Sequence, residues 1–460
     1  MLLSFRNENF KRLIFICLFL IINLLFLSYE FNNSTIETQQ NLEFKSINGM
    51  LNLAIDSNKS EPFQVSNAPA GKIAENPQIV IDKNRNIHIV WDDNSNGTYN
   101  IFYRIYNYST QTWSNIFDLT QDSLSDCKNP SIGIDQDLNI LVIWMNATDN
   151  YSIYGRLYNH SSSQWEQKNI IVDAGSQFIY DAKIAWAGDN NFTLVYSISD
   201  GTNRKIRSKN YYMSKGWEID YLVSNETNVI DRYPDIYFDD KFNGHLVFRR
   251  EIGGGYSIMY MNRTWNPYGG SSGTGDYEFG YNGIAVNVTS KLNFIQTYQA
   301  DKPSVIANTN TKKIYISWQD MCNSSGTYQI KTIGMNLTNY INESLLDNQV
   351  TNVTMDSQKH TGILMAYGFN RDQVSLIWTE GVNASNTGNL YFKSSFGTQK
   401  EKFNPSLGNP IPIDSIMHDM VNDTNNNLYI TYTENLGSSY QVMFILYDVL
   451  DPQLSIISPS

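Results

Sequence analysis

Apolar and polar residues alternate along much of this chain with the two-residue period that is typical of β-strands. The stretch "PQIVIDKNRNIHIVWDD", Pro77 to Asp93, contains an apolar-rich segment, a polar turn and a second apolar segment with a late aromatic residue. A near copy, "PSIGIDQDLNILVIWMN", runs from Pro130 to Asn146. Each stretch predicts two antiparallel strands that are joined by a tight turn.

The hairpin pattern recurs along the chain in seven copies, each of which closes with an aromatic residue. These aromatic residues lie 52 to 70 residues apart, but in five copies the distance from the proline-like position to the aromatic residue is 14. A hairpin of fixed length with variable spacing outside it indicates a repeat protein whose connecting loops vary in length. The closing aromatics are Trp91, Trp144, Tyr196, Phe248, Trp318, Trp378 and Tyr432. We predict that Trp91, Trp144, Phe248, Trp318 and Trp378 are buried between neighbouring repeats.

A third strand follows the hairpins, as in "YNIFYRIYN" from Tyr99, and a fourth follows in the early copies. Four antiparallel strands in about 50 residues make the blade of a β-propeller, whereas immunoglobulin-like sandwiches need about 100 residues each. The last copy lacks a fourth strand, and "EPFQVSN", Glu61 to Asn67, has no blade of its own. We therefore predict an all-β fold, a seven-bladed β-propeller of four-stranded antiparallel blades, which is closed by this N-terminal outer strand beside Tyr440 to Tyr447.

The first residues have the features of a targeting segment. Arg6, Lys11 and Arg12 precede an apolar run from Leu13 to Leu27, which predicts a signal peptide or an uncleaved signal anchor within residues 1–30. The positive flank places the following chain outside the cell, so contact with a membrane is expected only through this segment. Residues 31–60 are then a linker, residues 61–450 the propeller, and residues 451–460 resemble the start of a further, immunoglobulin-like module.

Composition restricts the partners. The formal net charge is -12, and 17% of the residues are charged, so no basic stripe is present to neutralise phosphates, and nucleic acid is not expected as a partner. Several Asn-x-Ser/Thr triplets occur. They indicate either a glycosylated surface protein or the preference of turns for these residues; examples are Asn96, Asn146, Asn191, Asn262 and Asn336.

From Glu61 to Val449 the chain resembles the sialidase-like, or BNR-repeat, propeller superfamily, whose units commonly read as proline, a strand, an Asp-Asn turn, then "IHIVW" and an acidic residue. The resemblance implies the architecture. The chain differs from the family, however, in the motifs that are associated with sialidase activity. The places of the Asp-boxes, "NYSTQTW", "HSSSQW" and "MSKGW", keep the tryptophan and lose the aspartate, and the arginine-isoleucine-proline motif is absent.

Sialidase chemistry, which the resemblance implies, needs three converging arginines, a tyrosine nucleophile with a glutamate, and an aspartic acid. The sequence does not assemble this set, so no catalytic residue is predicted. Arg104 and Arg156 occupy the same place in successive third strands and indicate repeated structure, and Arg249 and Arg250 lie beside Glu251, where an ion pair accounts for them.

Three turns imitate the first ligands of a calcium loop, as in Asp82-x-Asn84-x-Asn86, with related turns at Asp135 and Asp423. A calcium loop needs a further glycine and a last acidic ligand, and these places hold apolar residues such as Ile87 and Val90. We interpret the motif as an Asx-capped hairpin turn. No metal site and no cofactor are predicted.

Acidic residues follow the closing aromatic in five repeats. They are expected at one face of the propeller, either as turn caps or as an acidic rim that binds a cation, a basic peptide or sugar hydroxyls. The predicted function is an extracellular, cell-surface binding or adhesion module for a glycan or protein ligand; the alternatives are a glycan-cleaving enzyme with a non-standard site and a structural spacer. Converging arginines in a polar pocket would favour the enzyme. The candidate rim residues are Asp93, Glu251, Asp320, Glu380 and Glu434.

Overall fold

In a computed structural model of the protein, the described residues all belong to one part of the chain, Lys59–Ser460. The predicted signal segment, the linker up to residue 59 and the tail 451–460 lie outside them. The described ranges are 60–121, 126–199, 201–266, 276–279, 285–291, 300–309, 311–321, 328–337, 346–347, 350–354, 359–367, 374–381, 387–394, 401–402, 411–412, 418–425 and 427–447.

The strands fall into consecutive antiparallel units, preceded by the short strand β1, Phe63–Gln64. Unit 1 has β2 (Ala74–Ile81), β3 (Ile87–Asp93), β4 (Asn100–Asn107), β5 (Thr112–Trp113) and β6 (Phe117–Asp118). Unit 2 has β7 (Cys127–Ile134), β8 (Ile140–Asn146), β9 (Ser152–Asn159), β10 (Gln164–Trp165) and β11 (Asn169–Val172). Unit 3 has β12 (Phe178–Trp186), β13 (Asn191–Ser199), β14 (Arg204–Tyr212) and β15 (Gly216–Leu222).

The later units follow the same order. Unit 4 has β16 (Ile230–Phe238), β17 (Gly244–Ile252), β18 (Gly255–Asn266), β19 (Asp276–Phe279), β20 (Val286–Asn287) and a 3-10 helix, Val288–Lys291. Unit 5 has β21 (Ala300–Asn308), β22 (Lys313–Met321), β23 (Tyr328–Asn336) and β24 (Thr351–Asn352). Unit 6 has β25 (Lys359–Tyr367), β26 (Val374–Gly381), β27 (Thr387–Ser394), β28 (Glu401–Lys402) and β29 (Ile411–Pro412). Unit 7 has β30 (His418–Asn422), β31 (Leu428–Asn435) and β32 (Tyr440–Tyr447).

Within a unit, each of the first three strands pairs antiparallel with the next, and short outer strands pair with the third. Units 3 and 4 share one sheet through a single parallel pair, Arg204 with Ile230. The first strands contact one another in chain order, and β30 of unit 7 also contacts β2 of unit 1. The fold is therefore all-β with a propeller-type arrangement, as predicted from the hairpin repeat.

The N-terminal strand belongs to the last unit. β1 pairs antiparallel with β32, with Phe63 opposite Phe444, which is the pairing predicted from the missing fourth strand. An independent contact supports this place: the Arg104 side chain donates to the carbonyl oxygen of Val65 at 2.8 Å, as Arg156 donates to that of Leu119 on the outer side of unit 1. The two arginines thus repeat one structural contact between units.

Apolar clusters lie between neighbouring units, and each contains the closing aromatic of one unit. The cluster between units 7 and 1 contains Trp91 with Tyr429 and Phe444. All seven closing aromatics are at most 1% exposed, which confirms the burial predicted for Trp91, Trp144, Phe248, Trp318 and Trp378 and extends it to Tyr196 and Tyr432. Since the same position in each repeat faces the adjacent unit, one residue type serves the same packing role along the chain.

The turns between the first and second strands are Asx turns, as the sequence indicates. Asp82 Oδ1 accepts the backbone N–H groups of Asn84 and Asn86, both at 2.8 Å, and the amide of Asn86 donates to Asp82 Oδ2. Asp135, Asp239 and Asp423 repeat the arrangement. The carboxylates are therefore engaged in shaping the turns.

Replacing Asp82 by alanine is expected to lower the free energy of unfolding by about 1 to 3 kcal/mol, because the turn loses its acceptor. Burial alone would raise the pKa of Asp82, but hydrogen bonds from His88 and Asn86 outweigh it and lower the pKa. The carboxylate thus stabilises the fold above its unfolded-state pKa of about 4, and this contribution is lost as the pH falls through the lower folded-state value. Denaturant unfolding at several pH values measures both effects, and an equal loss of stability at all pH values would contradict this role.

In the part of the chain that the structure describes, no helix has the length and apolar character that crossing a membrane requires.

Candidate functional site

A cavity of about 290 Å³ lies where the first strands of units 1 to 6 begin. We call this end of the strands the mouth face, and the end with the Asx turns the far face. The cavity is lined mainly by polar and proline residues, with Met145, Ala182 and Leu364 as apolar exceptions. Its polar lining residues are Asn76, Gln78, Asn129, Tyr180, Asp181, Lys183, Tyr233, Asp235 and Lys302.

A β-bulge near the start of the first strands shapes this lining. In unit 1 the pairing shifts between Glu75 and Gln78, and equivalent shifts occur in units 2, 4, 5 and 6. The residue before the proline then has a left-handed backbone, with φ of 52° at Asn76, 53° at Asn129, 53° at Tyr233 and 46° at Lys302. Such angles are costly for residues other than glycine, and they concentrate at binding sites.

Side chains of one unit cap the backbone N–H groups of the next unit at the bulges. Asp92 accepts from Asn129 at 2.8 Å, and Asp181 accepts from Tyr233 at 3.3 Å. Three residues further along the first strands, acceptors again come from the preceding unit. These bonds hold the lining residues of neighbouring units in register; the second set joins Ser131 to Ile184, Asp235 to Val305 and Asp419 to Ile79.

A charged network lies beside the cavity. Lys183 Nζ donates to Gln78 Oε1 at 2.7 Å. Burial raises the pKa of Asp419 to about 6, and it also raises the pKa of Asp235, while the positive charge of Lys183 opposes both shifts. The ammonium group thus favours ionisation of two buried carboxyl groups, and the network offers both donors and acceptors to a polar ligand.

One wall of the mouth is an alternating series of arginine and tyrosine side chains, which we call the Arg–Tyr ladder. Arg204 lies 3.7 Å from the ring centroid of Tyr180, and Arg232 lies between Tyr180 and Tyr233, at 5.3 and 4.5 Å. Arg249 continues the series between Tyr233 and Tyr256, at 5.0 and 4.3 Å. Cation–π attraction holds these planar groups together, so the wall is ordered before any ligand arrives.

Two carboxylates accompany the ladder. Asp301 Oδ1 accepts from Arg249 Nη1 at 3.0 Å, and Asp181 Oδ2 lies 3.7 Å from Arg232 Nε. Arg250 is not in the ladder, because Asp231 and Glu226 bind its guanidinium group. From the sequence, Glu251 was predicted to be the ion-pair partner of Arg249 and Arg250. The observed partners lie instead on other segments of the chain, which the fold brings close to the two arginines.

The predicted rim residues occupy equivalent places at the mouth ends of their second strands. Asp93 is opposite Ala74, Asp320 opposite Ala300 and Glu380 opposite His360, so they share one face of the units. Their side chains are mostly buried: Asp93, Asp320, Glu380 and Glu434 are at most 8% exposed, and Glu251 is half-buried.

Contacts within the protein account for much of this burial. Asp93 accepts the backbone N–H of Ser95 at 2.7 Å, as a turn cap does. Asp320 forms an ion pair with Lys331 at 2.6 Å, and Glu380 lies 3.5 Å from His360 Nδ1. Their role in ligand binding stays a prediction. Among the described ranges no group of three His, Cys, Asp or Glu residues is arranged to hold a metal ion.

Sequence reasoning missed the cavity lining, although a signal for it exists. The residue just before the proline-like position differs between units, as Asn76, Asn129, Asp181, Tyr233 and Lys302, while the flanking pattern persists. A repeat that keeps its framework and varies one side chain indicates a position free to contact a ligand. The ladder had no such signal, because its arginines come from different strands of units 3 and 4.

No protein-family model matches the sequence, and no curated protein matches it. Solved structures do match. The crystal structure of polysaccharide lyase Uly1 has a TM-score of 0.53 at 9% identity, over 84% of this chain and 92% of the lyase. The alpha-L-arabinanase of Penicillium chrysogenum complexed with arabinobiose has a TM-score of 0.46 at 12% identity, over 85% and 98%.

The β-propeller domain of the Trilobed protease from Pyrococcus furiosus has a TM-score of 0.44 at 10% identity, over 85% of this chain and all (100%) of that domain. Of these three structures, only the lyase has a TM-score above 0.5. At 9% identity, the likeness to the lyase shows a shared fold and nothing about activity.

Proposed function

We propose that this protein is an extracellular glycan-binding module, a seven-bladed propeller whose cavity at the mouth face receives a polysaccharide segment. Seven units, seven apolar clusters between neighbouring units and the contact of β30 with β2 support the closed ring. The basic and apolar N-terminal residues support export, with or without a retained anchor. The sialidase-like relationship and a role in adhesion at the cell surface belong to the same proposal.

The observation that carries the proposal is the lining of the cavity. A sugar presents hydroxyl groups around an apolar ring face, and the lining offers amide, ammonium and carboxylate groups together with tyrosine rings. The bulges and the caps between units fix these groups in place, so little conformational entropy is lost on binding. The solved structure with the same fold is named a polysaccharide lyase, and we extend that class of ligand to this chain as part of the proposal.

The places of the first and last described residues in unit 7 are compatible with glycan binding at the mouth face. Ser60 is hydrogen-bonded to Leu446 at the far-face end of β32, and Ala68 is bonded to Gln441 at its mouth-face end. Ser60, where the described chain begins, and Tyr447, where it ends, therefore both lie toward the far face. The cavity is on the opposite face.

A glycan-cleaving enzyme is the second candidate, and one observation favours it: three arginines, Arg204, Arg232 and Arg249, gather at the mouth. We place binding first because Arg232 and Arg249 already face Asp181 and Asp301, which satisfy part of their charge within the protein. Release of sugar fragments from the bound oligosaccharides would favour the enzyme.

The test is a panel of immobilised neutral and acidic oligosaccharides, probed with the full chain. We expect at least one class to bind, and Lys183→Met to weaken that binding about tenfold or more, since a charged hydrogen-bonding group contributes about 1.5 to 3 kcal/mol. The matched control is Lys312→Met, which removes the same charge from an exposed turn at the far face. Melting temperatures establish that both variants fold. Absence of binding across the panel, or equal binding by both variants, would contradict the proposal.

A further inference from the structure

A buried carboxyl group, Asp92, holds part of the cavity wall in place. Its Oδ2 atom accepts the side-chain amide of Asn76 at 2.9 Å and the backbone N–H of Asn129 at 2.8 Å. Both partners line the cavity, both have a left-handed backbone, and they come from units 1 and 2. Asp92 therefore positions two strained wall residues at once, without reaching the cavity itself.

The other oxygen of Asp92 is in an unusual state. The side chain is fully buried, at 0% exposed, and Oδ1 has no hydrogen-bond partner among the residues that the structure describes. Glu75 lies directly opposite Asp92 in the pairing of β2 with β3. Two ionised carboxylates so placed would repel each other, and a buried ionised oxygen without a partner is costly. A proton on Oδ1 removes both penalties.

The charged and titratable groups around the pair come from three segments. Glu75 lies on β2, Tyr99 just before β4, and Lys128 on β7 beside Asp126. Lys128 Nζ lies over the Tyr99 ring at 3.7 Å from its centroid and 3.9 Å from Asp126 Oδ2. The one ammonium group of this cluster is thus shared with Asp126, so it compensates the Glu75–Asp92 pair only in part.

We propose that the Glu75–Asp92 pair carries a proton, and that a glycan binds the mouth most tightly while that proton is in place. This regulation rests on the proposed glycan-binding function, whereas the protonation of Asp92 itself does not. Asp92 acts as a positioning residue: Oδ2 accepts from Asn76 and Asn129 in either form, but ionisation sets the side chain against Glu75 at the edge of the wall.

The expected pKa directions agree with this arrangement. Burial and then the charge of Glu75 raise the pKa of Asp92 well above its ordinary value, against the hydrogen bonds from Asn76 and Asn129 and the charge of Lys128. Burial also raises the pKa of Glu75, against its hydrogen bond with Tyr99 and the charge of Lys128. Because the ligand in this proposal binds the protonated form more tightly, binding takes up a proton, and affinity falls as the pH rises.

The proton is measured first, without any ligand. In full-length protein labelled with 13Cγ-aspartate, the Asp92 resonance is assigned by its loss in Asp92→Asn and is followed from pH 4 to 9. We expect it to titrate well above the other resolved aspartates, and Glu75→Gln to move its midpoint to lower pH, since one source of repulsion is gone. An Asp92 resonance that is already ionised at pH 5 would overturn the proposal.

Binding is then measured with the oligosaccharide that gives the strongest signal on the panel described above. The affinity of the native chain should fall with rising pH by up to about tenfold per pH unit, the limit for one proton. The Asp92→Asn side chain keeps one oxygen acceptor and has an uncharged amide nitrogen in place of Oδ1. This variant should therefore bind the oligosaccharide at low pH and lose the pH dependence of its affinity. Asp137→Asn, an exposed far-face residue, is the matched control and should keep it.

The two measurements separate the two proposals. If no oligosaccharide binds but Asp92 titrates at raised pH, the glycan-binding function fails and the protonation of Asp92 stands. If an oligosaccharide binds and Asp92→Asn retains the pH dependence of the native chain, the regulation fails and the binding function stands.

Discussion

Replacing Trp144 by alanine is expected to lower the free energy of unfolding by about 3 to 5 kcal/mol. The indole is 1% exposed and lies in the apolar cluster between units 1 and 2, together with Val90, Ile132 and Val142. Because both units contribute to the cluster, its neighbours have limited freedom to close the resulting cavity. Chemical denaturation of the native and variant proteins measures the difference.

The control for this substitution is Phe178→Ala. Phe178 is 45% exposed at the start of a first strand, so its removal should cost much less, within about 1 kcal/mol. Equal stabilities for Trp144→Ala and the native chain would show that the closing aromatics do not form the contacts between units.

Removal of residues 1–68 is expected to have the largest effect on folding. Val65 is fully buried against the last unit, its N–H donates to Val442 at 2.8 Å, and Ser66 and Gln441 are hydrogen-bonded at 2.7 Å. Phe63 also stacks on Trp113 of unit 1, with ring centroids 4.9 Å apart. Losing these contacts should cost on the order of 5 to 10 kcal/mol, which is comparable to the whole stability of many proteins.

The matched control is a chain that lacks only residues 1–59 and so keeps β1. We expect this shorter chain to unfold cooperatively near the native temperature, whereas the chain that begins at Pro69 should aggregate or melt at much lower temperature. Similar melting of the two chains would mean that β1 does not stabilise the last unit against its neighbour.

Much of the fold could be predicted because every repeat has the same pattern of strands, turns and a closing aromatic residue. Trp91 and Trp144 stand at one place in successive hairpins, and the same position recurs in every unit, so one periodic pattern predicted five buried aromatic residues. The missing fourth strand of the last repeat likewise pointed to Phe63 and its neighbours, because an unpaired edge needs a partner.

The candidate site could be predicted only in part. Asp93 and Asp320 share one offset and lie at equivalent ends of their second strands, but an offset carries no information on burial, and both side chains are at most 4% exposed. The ladder depends on distances between Arg204, Tyr180 and Arg232, which lie on three different strands. Contacts of this kind follow from how adjacent units pack, and no periodicity in the chain encodes them.

The central claim, that a glycan binds at the mouth face, is tested most directly by amide hydrogen exchange with and without the best oligosaccharide of the panel. We predict slower exchange near the starts of the first strands, at residues 127–131, 178–184 and 230–236, where bulges and lining residues lie. The Asx turns of the far face, at residues 82–86, 135–139 and 239–243, should exchange at an unchanged rate. Protection that is confined to those far-face turns or to the outer strands, with none at the mouth, would contradict the account.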